Sequence, residues 1–126
     1  MISLQKKNKK KENLINGCRF MPVSDETEDF MFCSDVIVLN TRNQVGIEFN
    51  DGGRIRIDGV ICTDRDSFVQ MMDALVEFGK TNEYKYLYFA DSLETTILNL
   101  FLKYGFQEEH VYDPYNHYLK YEFEWR

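Results

Sequence analysis

From residue 35 onward the chain switches between two hydrophobic periods. Residues 35–39 form a short Val/Ile-rich run, closed by the turn residues Asn40-Thr41-Arg42-Asn43. Val45, Ile47 and Phe49 then alternate with Gly46 and Glu48, and Ile55 and Ile57 alternate with Arg54, Arg56 and Asp58. A period of two predicts strands with one buried face. Asn50-Asp51-Gly52-Gly53 separates the two runs. Asn, Asp and Gly tolerate positive φ, so a hairpin is expected there, with the meander ending near Ile61. The period next becomes helical, through Phe68, Met71, Met72, Leu75, Val76 and Phe78. Thr63 and Asp66 have capping-box spacing, Asp64 competes as the cap, and Gly79 is the expected stop. Residues 84–90 read as a core strand with Tyr84, Tyr86 and Tyr88 along one face. Asp91 or Ser92, with Glu94 as the reciprocal acid, then caps a second helix. Its apolar face is Leu93, Ile97, Leu100, Phe101 and Tyr104, and Gly105 is its C-terminal stop. Residues 106–112 read as a strand, 113–116 as a turn, and 117–125 as a last strand in which Leu119, Tyr121, Phe123 and Trp125 face one way.

Ahead of this region, residues 14–20 read as a first strand. Pro22 and the run Asp25-Glu26-Thr27-Glu28-Asp29 read as a loop, anchored by Phe30, Met31 and Phe32. From residue 34 the order is β-β-β-α-β-α-β-β. A strand-helix-strand passage within one sheet implies a right-handed parallel crossover, while the flanking hairpins are antiparallel. The fold class is therefore α+β, an α/β sandwich: a mixed, mostly antiparallel sheet with two main helices.

Composition refines this picture. A chain of 126 residues, 44% hydrophobic and 29% charged, is not collagen-like or mostly disordered, and it is long enough for a real core. No apolar run approaches a membrane span, and the start is not a secretory signal. Cys18, Cys33 and Cys62 lack C-x-x-C spacing, so free thiols in an intracellular, cytoplasmic chain are expected, with no metal site. The net charge of −6 is split. Lys6, Lys7, Lys9, Lys10 and Lys11 against Glu12 give residues 1–13 a local +4, leaving −10 on the rest. The expected organisation is a flexible basic arm, 1–13, and a single domain, 14–126. The acidic body argues against broad binding to a phosphate backbone, and nucleic acid is expected to be met only through the five lysines of the arm.

The element order over residues 34–126, together with the helix end Ile97-Leu98-Asn99-Leu100-Phe101-Leu102-Lys103-Tyr104-Gly105-Phe106, resembles the second half of the GCN5-related N-acetyltransferases. The resemblance implies an acyl-CoA N-acyltransferase fold and acetyl-CoA as co-substrate. The family binds the pyrophosphate of acetyl-CoA on the turn after its central strand. That turn corresponds here to residues 62–67, which makes Cys62, Thr63, Arg65 and Ser67 the cofactor-binding candidates. It contains no glycine and two aspartates. The family's thiolate-protonating tyrosine falls on Phe101, so Tyr104 is the phenol left as a catalytic candidate. The base that takes the amine's proton is sought in Glu48 and Asp58. His110 and His117 read as structural or surface residues.

About 33 residues precede Ser34, too few for the strand and helix pair with which the family usually shapes its acceptor site. The first expectation is accordingly a non-catalytic protein that binds a protein partner or pairs as a homodimer. Tyr112, Tyr115 and Tyr118 of the last hairpin would lie at the interface, as tyrosine is effective there. The small, aromatic-rich chain suits a viral protein aimed at a host factor. The alternatives are a divergent acetyl-CoA-dependent N-acetyltransferase, and a module that associates with nucleic acid or mimics it.

Overall fold

The computed structural model describes residues 13–23, 34–40, 42–111 and 113–124. Among the described residues eight strands form one sheet: β1 (Asn13–Ile15), β2 (Cys18–Pro22), β3 (Val36–Leu39), β4 (Asn43–Asn50), β5 (Arg54–Cys62), β6 (Tyr86–Asp91), β7 (Gln107–Glu108) and β8 (His117–Glu122). Their order across the sheet is β1-β2-β3-β4-β5-β6-β8-β7. Neighbours are antiparallel except β5 and β6, which run parallel, joined through helix α1 (Arg65–Thr81). Helix α2 (Thr95–Tyr104) follows β6. The mixed sheet, the single parallel pair and the two main helices are those the hydrophobic periods predict.

The register explains the core. Ile47 pairs with Ile57, Phe49 with Ile55, Ile55 with Leu87, Ile57 with Phe89, and Phe89 with Leu119. These side chains therefore share one face, and both helices cover it. Phe78 of α1 stacks on Phe20 at 5.1 Å and on Phe49 at 5.8 Å. Phe101 of α2 meets Phe68 at 5.2 Å and Phe89 at 5.8 Å. The opposite face carries the intervening residues: Glu48 beside Arg56, Arg56 beside Tyr88, and Tyr88 beside Lys120.

Several local expectations change. Residues 14–20 are two strands, β1 and β2, joined by a turn at Asn16 (φ 50°) and Gly17 (φ 78°). Asn-Gly is the residue pair that this hairpin turn demands. Helix α1 does not stop at Gly79 but runs two residues further, to an Asn82 cap. Gly79 is an interior residue of the helix, and the Phe123 ring lies where a side chain would be. Asp64, not Thr63, is its N-cap. The N-cap position of helix α2 is Glu94, which makes no side-chain cap bond, so neither Asp91 nor Ser92 caps the helix. Tyr84 precedes β6 and is drawn into the core between Phe49 (5.5 Å) and Phe78 (6.4 Å), leaving only Tyr86 and Tyr88 on the open face. The strand after α2 shrinks to two residues. The basic arm to Glu12, the acidic run with its Phe30–Phe32 anchor, Cys33 and Trp125 lie outside the described residues.

Candidate functional site

The sheet opens where its two parallel strands part. Pairing of β5 with β6 ends at Ile57 and Phe89, although β5 continues to Cys62 and β6 to Asp91. The cause is a bulge: Gly46 pairs with Gly59 and Ile47 with Ile57, so Asp58 has no opposite residue. An extra residue bends its strand and re-aims the local side chains. Here it separates β5 from β6 and leaves a notch with Asp58 at its edge.

Polar groups gather at this notch. The Ser34 hydroxyl donates to Asp58 Oδ2 at 2.9 Å, and Arg56 Nε lies 3.4 Å from Asp58 Oδ1. Arg56 Nη2 donates to the Ala90 carbonyl at 3.3 Å, reaching across the gap to β6. Asp58 is 13% exposed, and burial pushes its carboxyl up to about 6. The Ser34 hydroxyl opposes that rise, the neighbouring Glu48 carboxylate adds to it, and Arg56 tempers it. The two sequence-predicted carboxylates, Glu48 and Asp58, are thus neighbours. Ser34 and Arg56 were not among the candidates. Only the alternation of Arg56 with Ile55 and Ile57 signalled its face, and nothing in the sequence placed Ser34 beside Asp58.

The turn between β5 and α1 is closed. Asn43, 1% exposed, accepts from the Thr63 and Asp64 amides at 3.0 and 3.2 Å through Oδ1, and donates to the Asp64 carbonyl at 3.1 Å. Asn40 donates to the Ser67 carbonyl at 3.1 Å. The Asp64 carboxylate accepts from the Asp66 amide at 3.3 Å and from the Ser67 hydroxyl. The Ser67 hydroxyl is the main reason that this carboxyl lies below its usual range. The Thr63, Asp64 and Asp66 amides, donors of the kind with which a helix start attracts anions, are therefore committed within the chain. Of the four binding candidates, Thr63 and Ser67 serve this cap, and the Cys62 thiol points to the Asp64 carbonyl at 3.6 Å. Arg65 is exposed. Asn43→Ala would leave two amide donors and a carbonyl without their partner. It is expected to cost about 2–3 kcal/mol in denaturant unfolding and to speed amide exchange at Thr63 and Asp64.

Between the helices runs a groove of about 580 Å³, with Arg65 and Val69 on the α1 side and Thr96, Asn99 and Lys103 on the α2 side. Asp66 and Tyr104 also line it. A smaller hollow of about 210 Å³ at Cys62 and Thr63 shares Arg65, Thr96 and Leu100 with it, so the two adjoin. Tyr104 donates to Asp73 Oδ1 at 2.7 Å, and burial, followed by that carboxylate, holds its phenol above the ordinary range. The structure thus brings Tyr104 to the helix groove and not to the notch. Phe101 is fully buried.

On the last hairpin Tyr115 is 80% exposed, whereas the Tyr118 hydroxyl is engaged by Asp113 at 2.8 Å. Tyr112 lies outside the described residues. His117 Nδ1 is 2.6 Å from Glu108 Oε2. Among the described residues no group of three His, Cys, Asp or Glu is placed to hold a metal, and no helix is long and apolar enough to cross a membrane.

No family model matches the chain, and no curated protein sequence is significantly similar. Solved structures are similar in fold. A putative ribosomal-protein-serine acetyltransferase from Vibrio cholerae superposes with a TM-score of 0.61 at 14% identity, over 90% of this chain and 98% of that one. An IAA acetyltransferase from Bacillus cereus gives 0.60 at 10% identity, over 83% and 97%. A putative acyl-CoA N-acyltransferase from Klebsiella pneumoniae gives 0.59 at 10% identity, over 71% and 72%. The chain therefore has the fold of the GCN5-related N-acetyltransferases, in a divergent form.

Proposed function

We propose that the chain is a divergent acyl-CoA-dependent N-acetyltransferase. The observation that carries this reading is the notch between β5 and β6, with a largely buried carboxylate of raised pKa at its edge. A catalytic base works best when its pKa lies near the working pH. Asp58, at about 6, is mostly ionised at neutral pH and still accepts a proton more readily than an ordinary aspartate.

Acetyl-CoA fits the chain in one place and not in another. A diphosphate is poorly served by the β5–α1 turn, because Asn43 and the Asp64 carboxylate already take the Thr63, Asp64 and Asp66 amides. The groove beside the turn suits it better. Its volume is in the range of ligand sites, and Arg65 and Lys103 supply positive charge from two sides. When bound, acetyl-CoA supplies an acetyl thioester whose C–S bond breaks as the amide N–C bond forms, the sulfur leaving as a thiolate that takes its proton from solvent. The chain's own task is to handle the amine. Asp58 takes the nitrogen's proton, Ser34 fixes the carboxylate through Oδ2, and Glu48 keeps its basicity high. Phe101 has no proton to give, and Tyr104 is committed to Asp73, so neither assists at the notch.

The closed cap favours a second reading, in which the fold binds a protein partner without catalysis. Exposed Tyr115 and Val111 on the last hairpin would then provide the contact. Titration calorimetry with acetyl-CoA separates the two. The acetyltransferase reading expects a saturable isotherm, weakened about tenfold or more when Arg65→Ala and Lys103→Ala remove both cations. A flat trace at millimolar acetyl-CoA overturns it and leaves partner binding.

A further inference from the structure

The notch holds both signs of charge at close range. Arg56 and Asp58 are two residues apart on one strand, with Nε and Oδ1 3.4 Å apart. Glu48 stands opposite Arg56 in the register. The cluster is one guanidinium against two carboxylates, which leaves it short of one positive charge and sets the carboxylates repelling each other.

Arg56 is incompletely used. A guanidinium carries five N–H donors. Among the described residues it makes one side-chain hydrogen bond, through Nη2 to Ala90. Its Nε is buried and lacks a hydrogen-bond partner, so the contact with Asp58 is one of charge and not a directed bond. The side chain as a whole is 37% exposed and reachable from outside. A planar donor fork with spare N–H groups matches a carboxylate.

A simple amine would satisfy only the acidic side of this cluster, and a simple acid only Arg56. Resting on the acetyltransferase reading, we propose that the notch selects an acceptor carrying a carboxylate beside its primary amine, a free α-amino acid, with the carboxylate on Arg56 and the amine on Asp58 and Glu48. One carbon separates the two groups in such a molecule, so the protein charges that hold them must be adjacent, as Arg56 and Asp58 are. Bound in this way, the ammonium relieves the repulsion between Glu48 and Asp58 and lies against the carboxylate that takes its proton.

The test is thiol release from acetyl-CoA by the full chain with matched pairs: leucine against isopentylamine, phenylalanine against phenethylamine, and each amino acid against its amide. The amino acids are expected to exceed their carboxylate-free counterparts in kcat/KM by about 10–100-fold, because a group built to be hydrogen-bonded is left unpaired by the analogue that lacks it. In Arg56→Ala that ratio is expected to fall toward one, and Arg56→Lys to restore part of it. Circular dichroism verifies that both variants are folded. Equal or better use of the carboxylate-free amines overturns the proposal, as does a ratio unmoved in folded Arg56→Ala. If acetyl-CoA neither binds nor turns over, it is the acetyltransferase reading that fails. Calorimetry with the free amino acids then decides the site: Arg56-dependent binding supports it, and no binding at millimolar concentration overturns it.

Discussion

Phe101→Ala is expected to lower the unfolding free energy by about 3–5 kcal/mol, as for other buried Phe truncations. Phe101 has no exposed surface and touches aromatic rings from three elements: Phe68 on α1, Phe89 on β6 and Phe106 after α2, the last at 4.9 Å. Those elements cannot close on the gap without unpairing the sheet or shifting α1, so most of the cavity would remain. Urea denaturation measures the loss. Phe101→Tyr is the more informative variant, since this is where the resemblance expects a catalytic tyrosine. The added hydroxyl would enter the buried apolar core and is expected to cost about 1–3 kcal/mol for an unpaired polar group. Acetyl transfer should not rise. A Phe101→Tyr protein that is both as stable as the parent and faster would show that the position opens to the reacting thiol.

Asp58→Asn is expected to reduce acetyl transfer by about 10²–10⁴-fold, the usual contribution of a positioned base. The parent rate should climb through pH 6 as the carboxyl ionises, and the variant should lose that limb. Stability moves the other way. Burial raises the carboxyl above its ordinary range to about 6, so between about pH 4 and 6 the folded chain holds a proton that the unfolded chain releases. The unfolding free energy therefore falls as pH rises through that window and is level above it. With partial solvation taken into account, the fall is about 1–2 kcal/mol. Asp58→Asn removes it: the variant should match the parent near pH 4 and be the more stable near pH 8, its amide oxygen still accepting from Ser34. A carboxylate that weakens the fold where it is charged while speeding the reaction is the trade-off expected of a functional group. Equal Tm values for parent and variant at pH 8, with an unchanged pH–rate profile, would remove Asp58 from the mechanism.

The hydrophobic periods in the chain were sufficient for the architecture. Alternation at Val45, Ile47 and Phe49, and again at Ile55 and Ile57, matches the buried face of β4 and β5, and the helical spacing from Phe68 to Phe78 matches the buried face of α1. These signals are local, since a side chain's face follows from its place in a repeat of 2 or 3.6 residues. Glu48 and Asp58 were legible as polar strand residues for the same reason. The Asn16-Gly17 turn is equally local, although the apolar residues on either side of it read as one continuous strand.

Other features depended on partners distant in sequence. Gly79 reads as a helix stop, whereas the Phe123 ring packed against it accounts for a glycine inside the helix. Tyr84 continued the alternation of Tyr86 and Tyr88, yet the rings of Phe49 and Phe78 draw it into the core. The turn of residues 62–67 was legible as acidic and glycine-free. Its closure was not, because the side chain that fills it, Asn43, comes from β4. The sequence by itself determined the class of fold, the faces of its strands and helices, and the absence of a glycine-rich turn, since all of these are set by neighbouring residues. Tertiary structure alone decided that β5 bulges at Asp58, that Ser34, Glu48 and Arg56 meet there, and that Tyr104 serves the helix groove. Those outcomes depend on register and long-range packing, which no local pattern encodes.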